Sequence, residues 1–194
     1  MTVLAFTITF HSPFRVGAAY AQDGVHAAID RDDPLPADHV KGVMRAAAAD
    51  LFGDHRHWAI AEVFGSPAAP SPWSWSAATP AGVPGQWEFG RRHRVRIDPE
   101  KHSAMKDRLV LGEQAWAEAA RFTVARAGTL QSGHRLGEED HVRILRCAAA
   151  AVHGLGSWRR RGLGWVGITP EDAEITSQDV LALRALAKRD EADR

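Results

Sequence analysis

Residues 4 to 10 alternate, with the large apolar Leu4, Phe6, Ile8 and Phe10 set against Thr7 and Thr9. Period-two patterning with β-branched and aromatic residues specifies a strand over 2–10 with one buried face. That buried face needs a covering layer, and two segments have the helical period to supply it. The first starts at Asp38, an N-cap residue type. It carries Val40, Val43, Met44, Ala47 and Leu51 on one face and stops at Gly53. The second runs over 138–153, with Val142, Leu145, Ala149 and Val152, and ends at Gly154-Leu155-Gly156. A shorter helix is predicted over 57–64, closed by Gly65. A last amphipathic helix is predicted over 178–189, capped by Ser177 and bearing Val180, Leu181, Leu183 and Leu186.

Further strands fall at 87–98, where Trp87, Phe89, Val95 and Ile97 sit among arginines, and at 163–168. The stretch 109–126 fits two readings. Leu109-Val110-Leu111 and Phe122-Thr123-Val124 look like strand, while 116–120 suits either a helical turn or a bulged crossing. Residues 66–85 hold five prolines and two glycines around Trp73 and Trp75, which makes them loop or edge strand. The connection 11–37 is long for a compact domain, and such connections are usually functional or disordered. The order strand, helix, strand, strand, helix, strand gives an α+β chain with the ferredoxin-like (RRM-like) split pattern. Its first and third strands would be central, with their open face as the usual ligand surface. At 194 residues and 45% apolar, the chain fits one domain over 1–194.

The formal net charge is zero, from 24 basic and 24 acidic residues. The sum conceals an uneven spread: residues 91–161 hold 15 basic against 8 acidic, and both flanking parts are acidic. A positive middle reopens the question of a polyanionic partner. Cys147 is the sole cysteine, so neither an intrachain disulfide nor a cysteine zinc cage is available. The start of the chain lacks the features of a signal peptide, and no window has the apolar length of a membrane span. Cytoplasmic residence is the expectation.

Several clusters can carry chemistry. Arg91, Arg92, Arg94 and Arg96 crowd one predicted strand, where Arg92, Arg94 and Arg96 would share a face at roughly 6.6–6.8 Å per alternate residue. That spacing falls near the phosphate repeat of an extended nucleic-acid strand, and arginine both grips phosphate and stacks on bases. The alternative is an edge strand protected by charge. The segment 154–164 adds Trp158, Arg159, Arg160 and Arg161 between glycines that permit close backbone approach. It lacks the Lys-Ser/Thr of a nucleotide-hydrolysing loop, and it also reads as a tight turn with solvated arginines. Lys41 and Arg45 share a face of the helix that begins at Asp38, with Gly42 between them. A helical glycine costs about 1 kcal/mol, which close approach of a ligand or backbone would explain. Asp23, Asp30, Asp32, Asp33 and Asp38 form an acidic cluster that can hold a divalent ion or act as base, with His26 as a second base; solvated turn residues are the other reading. The neighbouring His55 and His57 have no paired metal spacing and are expected at the surface.

Taken together, these motifs resemble the RAMP superfamily, and within it the backbone subunit of type III CRISPR effector complexes. The resemblance runs from about residue 3 to 168. Its anchors are Arg15-Val16-Gly17, Leu35-Pro36, Lys41-Gly42-Val43-Met44-Arg45, and Leu51-Phe52-Gly53 or Val63-Phe64-Gly65. Val95-Arg96-Ile97-Asp98, Glu113, Phe122 and the Gly-Arg-rich segment 154–164 complete the set. It implies a ferredoxin-like palm with a thumb-like insertion at about 66–90 or nearby and a long acidic loop. It also implies stacking with other effector subunits and copies of itself along a CRISPR guide RNA that pairs with target RNA. Arg15, Lys41, Arg45, Arg92, Arg94, Arg96, Trp158, Arg159, Arg160 and Arg161 would then bind RNA. Catalytic relatives cleave target RNA with Mg²⁺ or Mn²⁺ and a loop aspartate. Here that position falls on or near His26, with Asp23 three residues earlier. Three readings follow: an RNA-binding scaffold, a metal-dependent endoribonuclease acting through Asp23 or His26 with its metal ligands unassigned, or a solitary domain with solvated arginines.

Overall fold

The computed structural model describes residues 2–18, 25–82, 85–130 and 135–192. Strand β1 (Val3–Phe10) buries Leu4, Phe6, Ile8 and Phe10, as its alternation requires. Its neighbours are β6 (Ala119–Arg126) on one side and β7 (Val166–Pro170) on the other, both antiparallel. Phe6 lies opposite Phe122 in the β1–β6 register, and their rings stack with centroids 5.1 Å apart. Two short strands, β2 (Trp73–Trp75) and β3 (Thr79–Ala81), share the outer edge of β6. The main sheet thus runs β2–β6–β1–β7, with β3 also on β6.

One face of this sheet carries the core, against helices α1 (Ala37–Phe52) and α3 (Glu138–Ala150). Val40, Met44, Ala47, Ala48 and Phe52 of α1 meet Ile144, Leu145 and Ala148 of α3 there. Leu51, expected inside, is exposed, and Phe52 takes the buried position. Asp38 lies in the first turn of α1, not at its cap: the cap is Pro36, in extended backbone, and Gly53 ends the helix in left-handed conformation at φ 71°. Helix α2 (Trp58–Phe64) begins at His57, whose ring nitrogen Nδ1 accepts from the Ala59 amide. That ring is buried and stacks on Phe52, so His57 is a packed cap and not a surface residue. Helix α4 (Ser177–Ala192) closes the chain and packs through Leu183 and Leu186.

The arginine-rich strand does not join this sheet. Strands β4 (Glu88–Ile97) and β5 (Ala104–Trp116) pair only with each other, as an antiparallel ribbon with an irregularity between Val95 and Ile97. Residues 73–75 and 79–81, within the stretch where the thumb-like insertion was expected, pair with the edge of the main sheet. The ribbon at 88–116 forms a separate two-stranded sheet. Between β5 and β6 the chain crosses through Ala117 and Glu118 without a helical turn. Phe10, Phe14, Trp87 and Trp116 pack where the ribbon departs, with Phe10 and Phe14 stacked at 5.0 Å and Phe14 edge-on to Trp87 at 5.3 Å. Phe14 and Ala115 exchange both backbone hydrogen bonds at 2.8 Å, and the Glu113 amide donates to the Ala27 carbonyl at 2.9 Å. The Glu113 carboxylate is buried and answered by Arg31 at 2.7 Å. Phe14, Ala27 and Arg31 therefore stitch both halves of the long connection to the ribbon.

Gly42 sits inside α1 with nothing within 4 Å of the place a Cβ would take. No internal packing requires glycine there, so Gly42→Ala should raise stability by about 1 kcal/mol through helix propensity alone. Urea unfolding checks this; a lowered midpoint would show a contact that the fold does not reveal.

Candidate nucleic-acid interface

Behind the ribbon runs the Gly-Arg-rich segment, whose backbone can follow its path only with glycine at two points. Gly156, at φ 74°, would bring a Cβ to 2.4 Å from the Arg15 carbonyl oxygen. Gly164, at φ 75°, would bring one to 2.0 Å from that of Leu155. Between them Trp158 takes a left-handed conformation at φ 62°, uncommon for a bulky residue. The next three residues, Arg159–Arg161, form a single 3-10 turn. Trp158 lays its indole over Gly112 of β5, so closely that a Cβ there would lie 2.4 Å from the ring. Arg94 stacks on the indole at 4.3 Å, and Arg15 approaches it at 5.1 Å.

Ribbon, loop and turn together enclose a groove of about 880 Å³. Arg94, Arg96 and Arg108 line it from the ribbon, Trp158 and Arg161 from the turn, and His26 from the long connection. Among the described residues its one carboxylate is Asp107, which has a left-handed backbone at φ 58°. The guanidiniums of Arg94, Arg96, Arg108 and Arg161 have no carboxylate partner among the described residues. Several arginines elsewhere are paired: Arg121 with Glu171 at 2.9 Å, Arg146 with Asp172 at 2.6 Å, and Arg143 with Glu139, Asp140 and Asp179. Arg94 donates only to the Arg161 carbonyl, at 3.0 Å. Burial first, then the charges of Arg161 and Arg92, push its proton affinity below the usual arginine value. A set of cations held close without a counterion is electrostatically poised for an anion.

A family model of the RAMP superfamily matches residues 7–167. The chain belongs to that superfamily. None of the curated proteins compared matches its sequence. Among solved structures, its fold is similar to a chain of a Type III-B Cmr-beta complex bound to cognate target RNA. The TM-score is 0.63 and the identity 15%, covering 88% of this chain and 60% of that one. A chain of the apo Type III-B Cmr-beta complex matches with a TM-score of 0.62 and 13% identity, covering 89% of this chain and 98% of that one.

On this RAMP scaffold the residues singled out in the sequence separate into three places. Arg94, Arg96, Trp158, Arg161 and His26 meet in the groove. Arg159 and Arg160 line a second cleft, on the other side of the 3-10 turn. Lys41 and Arg45 line a third, beside Gly42 and Ser66, where Arg45 donates to the Gly65 carbonyl at 2.6 Å and Lys41 lies 5.1 Å from the Trp75 ring. Arg15 is a staple: its guanidinium donates to the carbonyls of Ala27 and Ala28 and to the Ser157 hydroxyl. Arg92 is half-buried on the ribbon without an ion partner among the described residues. Asp23 lies outside the described residues. Arg108, on the facing strand, was not marked by the arginine run, because it stands alone in sequence and reaches the groove only through the ribbon's pairing.

His26 bears directly on any catalytic role. Its backbone amide donates to the Leu111 carbonyl at 3.0 Å, and its Nδ1 accepts from the Leu111 amide at 3.1 Å. With Nδ1 as acceptor, the neutral ring's proton is assigned to Nε2, the open nitrogen. Among the described residues no three His, Cys, Asp or Glu side chains converge around one point. The described donors therefore do not fit Mg²⁺ or Mn²⁺, which want several oxygens. The open face of the main sheet shows Thr7, Thr9, Arg121 and Thr123, with Arg121 engaged by Glu171. The cationic surface lies at the ribbon instead.

His39 joins α1 to the segment behind the ribbon, its Nε2 accepting from the Gly156 amide at 2.8 Å. Burial, and after it the charge of Arg159, hold this imidazole below its usual 6.5. The folded chain then binds the proton less readily than the unfolded one, so the contribution is complete above pH 6.5 and is lost as pH falls below it. In His39→Gln, which keeps an acceptor but cannot titrate, the drop in urea midpoint between pH 7.5 and 5.5 should shrink. An unchanged drop would remove His39 from this account.

Proposed function

We propose that this chain is a guide-RNA-binding backbone subunit of a type III CRISPR ribonucleoprotein effector in antiviral defence. The observation that carries the reading is the groove in which Arg94, Arg96, Arg108 and Arg161 converge without carboxylate partners, on a chain of the RAMP superfamily. The palm is read as ferredoxin-like. In support, the edge pair β2/β3 serves as second strand, and the sheet order becomes second, third, first, fourth, all antiparallel, under two helices. The ribbon at 88–116 takes the place of the thumb. Its Val95, Ile97, Leu109 and Val110 are exposed beside the arginines, an apolar edge suited to pressing between bases. Target RNA, other effector subunits and further copies of this chain are the partners that go with this role. A solved Cmr-beta complex of similar fold holds cognate target RNA. No helix among the described residues is long and apolar enough to cross a membrane. A cytoplasmic ribonucleoprotein is the setting that suits the proposal.

Binding without cleavage is the form of this reading that the side chains favour. The catalytic alternative needs Asp23 or His26 to work with Mg²⁺ or Mn²⁺, and His26 presents a donor to the groove. A solitary domain with solvated arginines is disfavoured by the convergence of four guanidiniums in one groove, while Arg121, Arg143 and Arg146 have acid partners.

The test is single-stranded RNA binding at rising salt. Each phosphate neutralised adds about −0.7 to the log–log slope. Arg96 and Arg108 are exposed, and replacing both with Gln should shallow the slope by about 1.4 while the thermal midpoint holds. Salt-insensitive binding by the parent, or an unchanged slope in the double variant, would refute the groove as the RNA site.

A further inference from the structure

The three-arginine turn faces two ways. A 3-10 helix has about three residues per turn, so consecutive side chains point about 120° apart. Arg161 turns into the ribbon groove, while Arg159 and Arg160 turn to a cleft of about 430 Å³ on the opposite side. That cleft ends at Trp165, a residue no motif had singled out. Trp165 is 64% exposed, the most open of the large apolar residues among those described.

The exposure is not looseness. The Trp165 carbonyl accepts from the His11 amide at 2.9 Å, and its amide donates to the Ser12 hydroxyl at 2.9 Å. Its backbone also bridges to Gly154, and the His11 ring lies against the indole at 5.2 Å. A large aromatic held this firmly at the surface contributes contact area with little further loss of conformational freedom on binding. His153, Arg159 and Arg160 surround it, no carboxylate lines the cleft, and neither arginine has an ion partner among the described residues. The cleft's other large apolar side chain, Leu163, is buried. A protein partner would call for a wider apolar patch; one aromatic face ringed by guanidiniums fits a nucleobase and its phosphates.

We propose that this cleft is a second contact for single-stranded RNA, in which Trp165 stacks an unpaired base and Arg159 and Arg160 take the adjoining phosphates. The inference rests on the RNA-binding reading of the ribbon groove and adds a separate surface to it.

The test uses the full chain, a fluorescently labelled 12-nucleotide oligouridylate, and a matched oligomer of abasic ribose phosphates. Trp165→Ala should weaken oligouridylate binding about five- to a hundred-fold. The salt slope should not change, because a stack and not a charge is lost. Trp165→Phe should keep most of the affinity, and the abasic oligomer should bind parent and Trp165→Ala alike. Thermal midpoints of both variants show that the fold is intact. Parent-like oligouridylate binding by Trp165→Ala would overturn the proposal. So would an equal defect with the abasic oligomer, or a loss of self-association in light scattering with RNA binding unchanged, which would make Trp165 a protein contact. Loss of binding in the Arg96/Arg108 variant alone would remove this site and keep the groove; a parent that binds no RNA would remove both.

Discussion

The indole of Trp158 fills the space that any side chain at Gly112 would need, and much of this molecule's geometry follows from that contact. Gly112 belongs to the ribbon and Trp158 to the Gly-Arg-rich segment, so the contact fixes the angle at which the ribbon leaves the palm. Arg94 and Arg15 flank the same ring, one from the ribbon and one from the start of the long connection. Arg15 then reaches Ala27, Ala28 and Ser157, closing the circuit. Three chain segments distant in sequence thus share one aromatic anchor. The groove is the gap they leave. A role for Trp158 as a stacking platform is therefore limited, because the ribbon and two guanidiniums already take up its surroundings.

Electrostatics divides the protein in the same way. On the helical side, carboxylates meet arginines: Arg143 joins α3 to α4 through Asp179, and Arg146 reaches Asp172. Hydrogen bonds from the Thr176 backbone and hydroxyl, with Arg143 beside them, hold the Asp179 carboxyl below its ordinary range. On the ribbon side Arg94, Arg96, Arg108 and Arg161 repel one another with little relief. A compact fold accepts that cost when a polyanion removes it on binding. The formal charge of zero is the sum of a cationic middle and two acidic flanking parts.

The first strand and the major helices were legible in the sequence, because their apolar periods decide which face is buried. The ribbon was not. Trp87, Phe89, Val95 and Ile97 alternate as a sheet strand would, yet Phe89, Val95 and Ile97 stay exposed on a two-stranded arm. Meanwhile Trp73 and Trp75, flanked by prolines, edge the main sheet in a stretch too short to show a period. His57 looked like a loop residue, and only the fold shows its ring capping α2 under Phe52. At the site, the arginine clusters were visible as runs. Their assignment to separate surfaces was not, since it depends on a 3-10 turn that splits three adjacent side chains. Arg108 and Trp165 stand singly in sequence and become notable only through strand pairing and exposure.

The central claim is that RNA lies along the ribbon groove, and photocrosslinking reads that position directly. Single-stranded RNA carrying 4-thiouridine would be bound to the full chain, irradiated and mapped by peptide mass spectrometry. The account predicts adducts concentrated in peptides from 91–97, 106–111 and 158–165. Adducts confined to α4 or to the Lys41–Arg45 face of α1, with the ribbon clean, would contradict it.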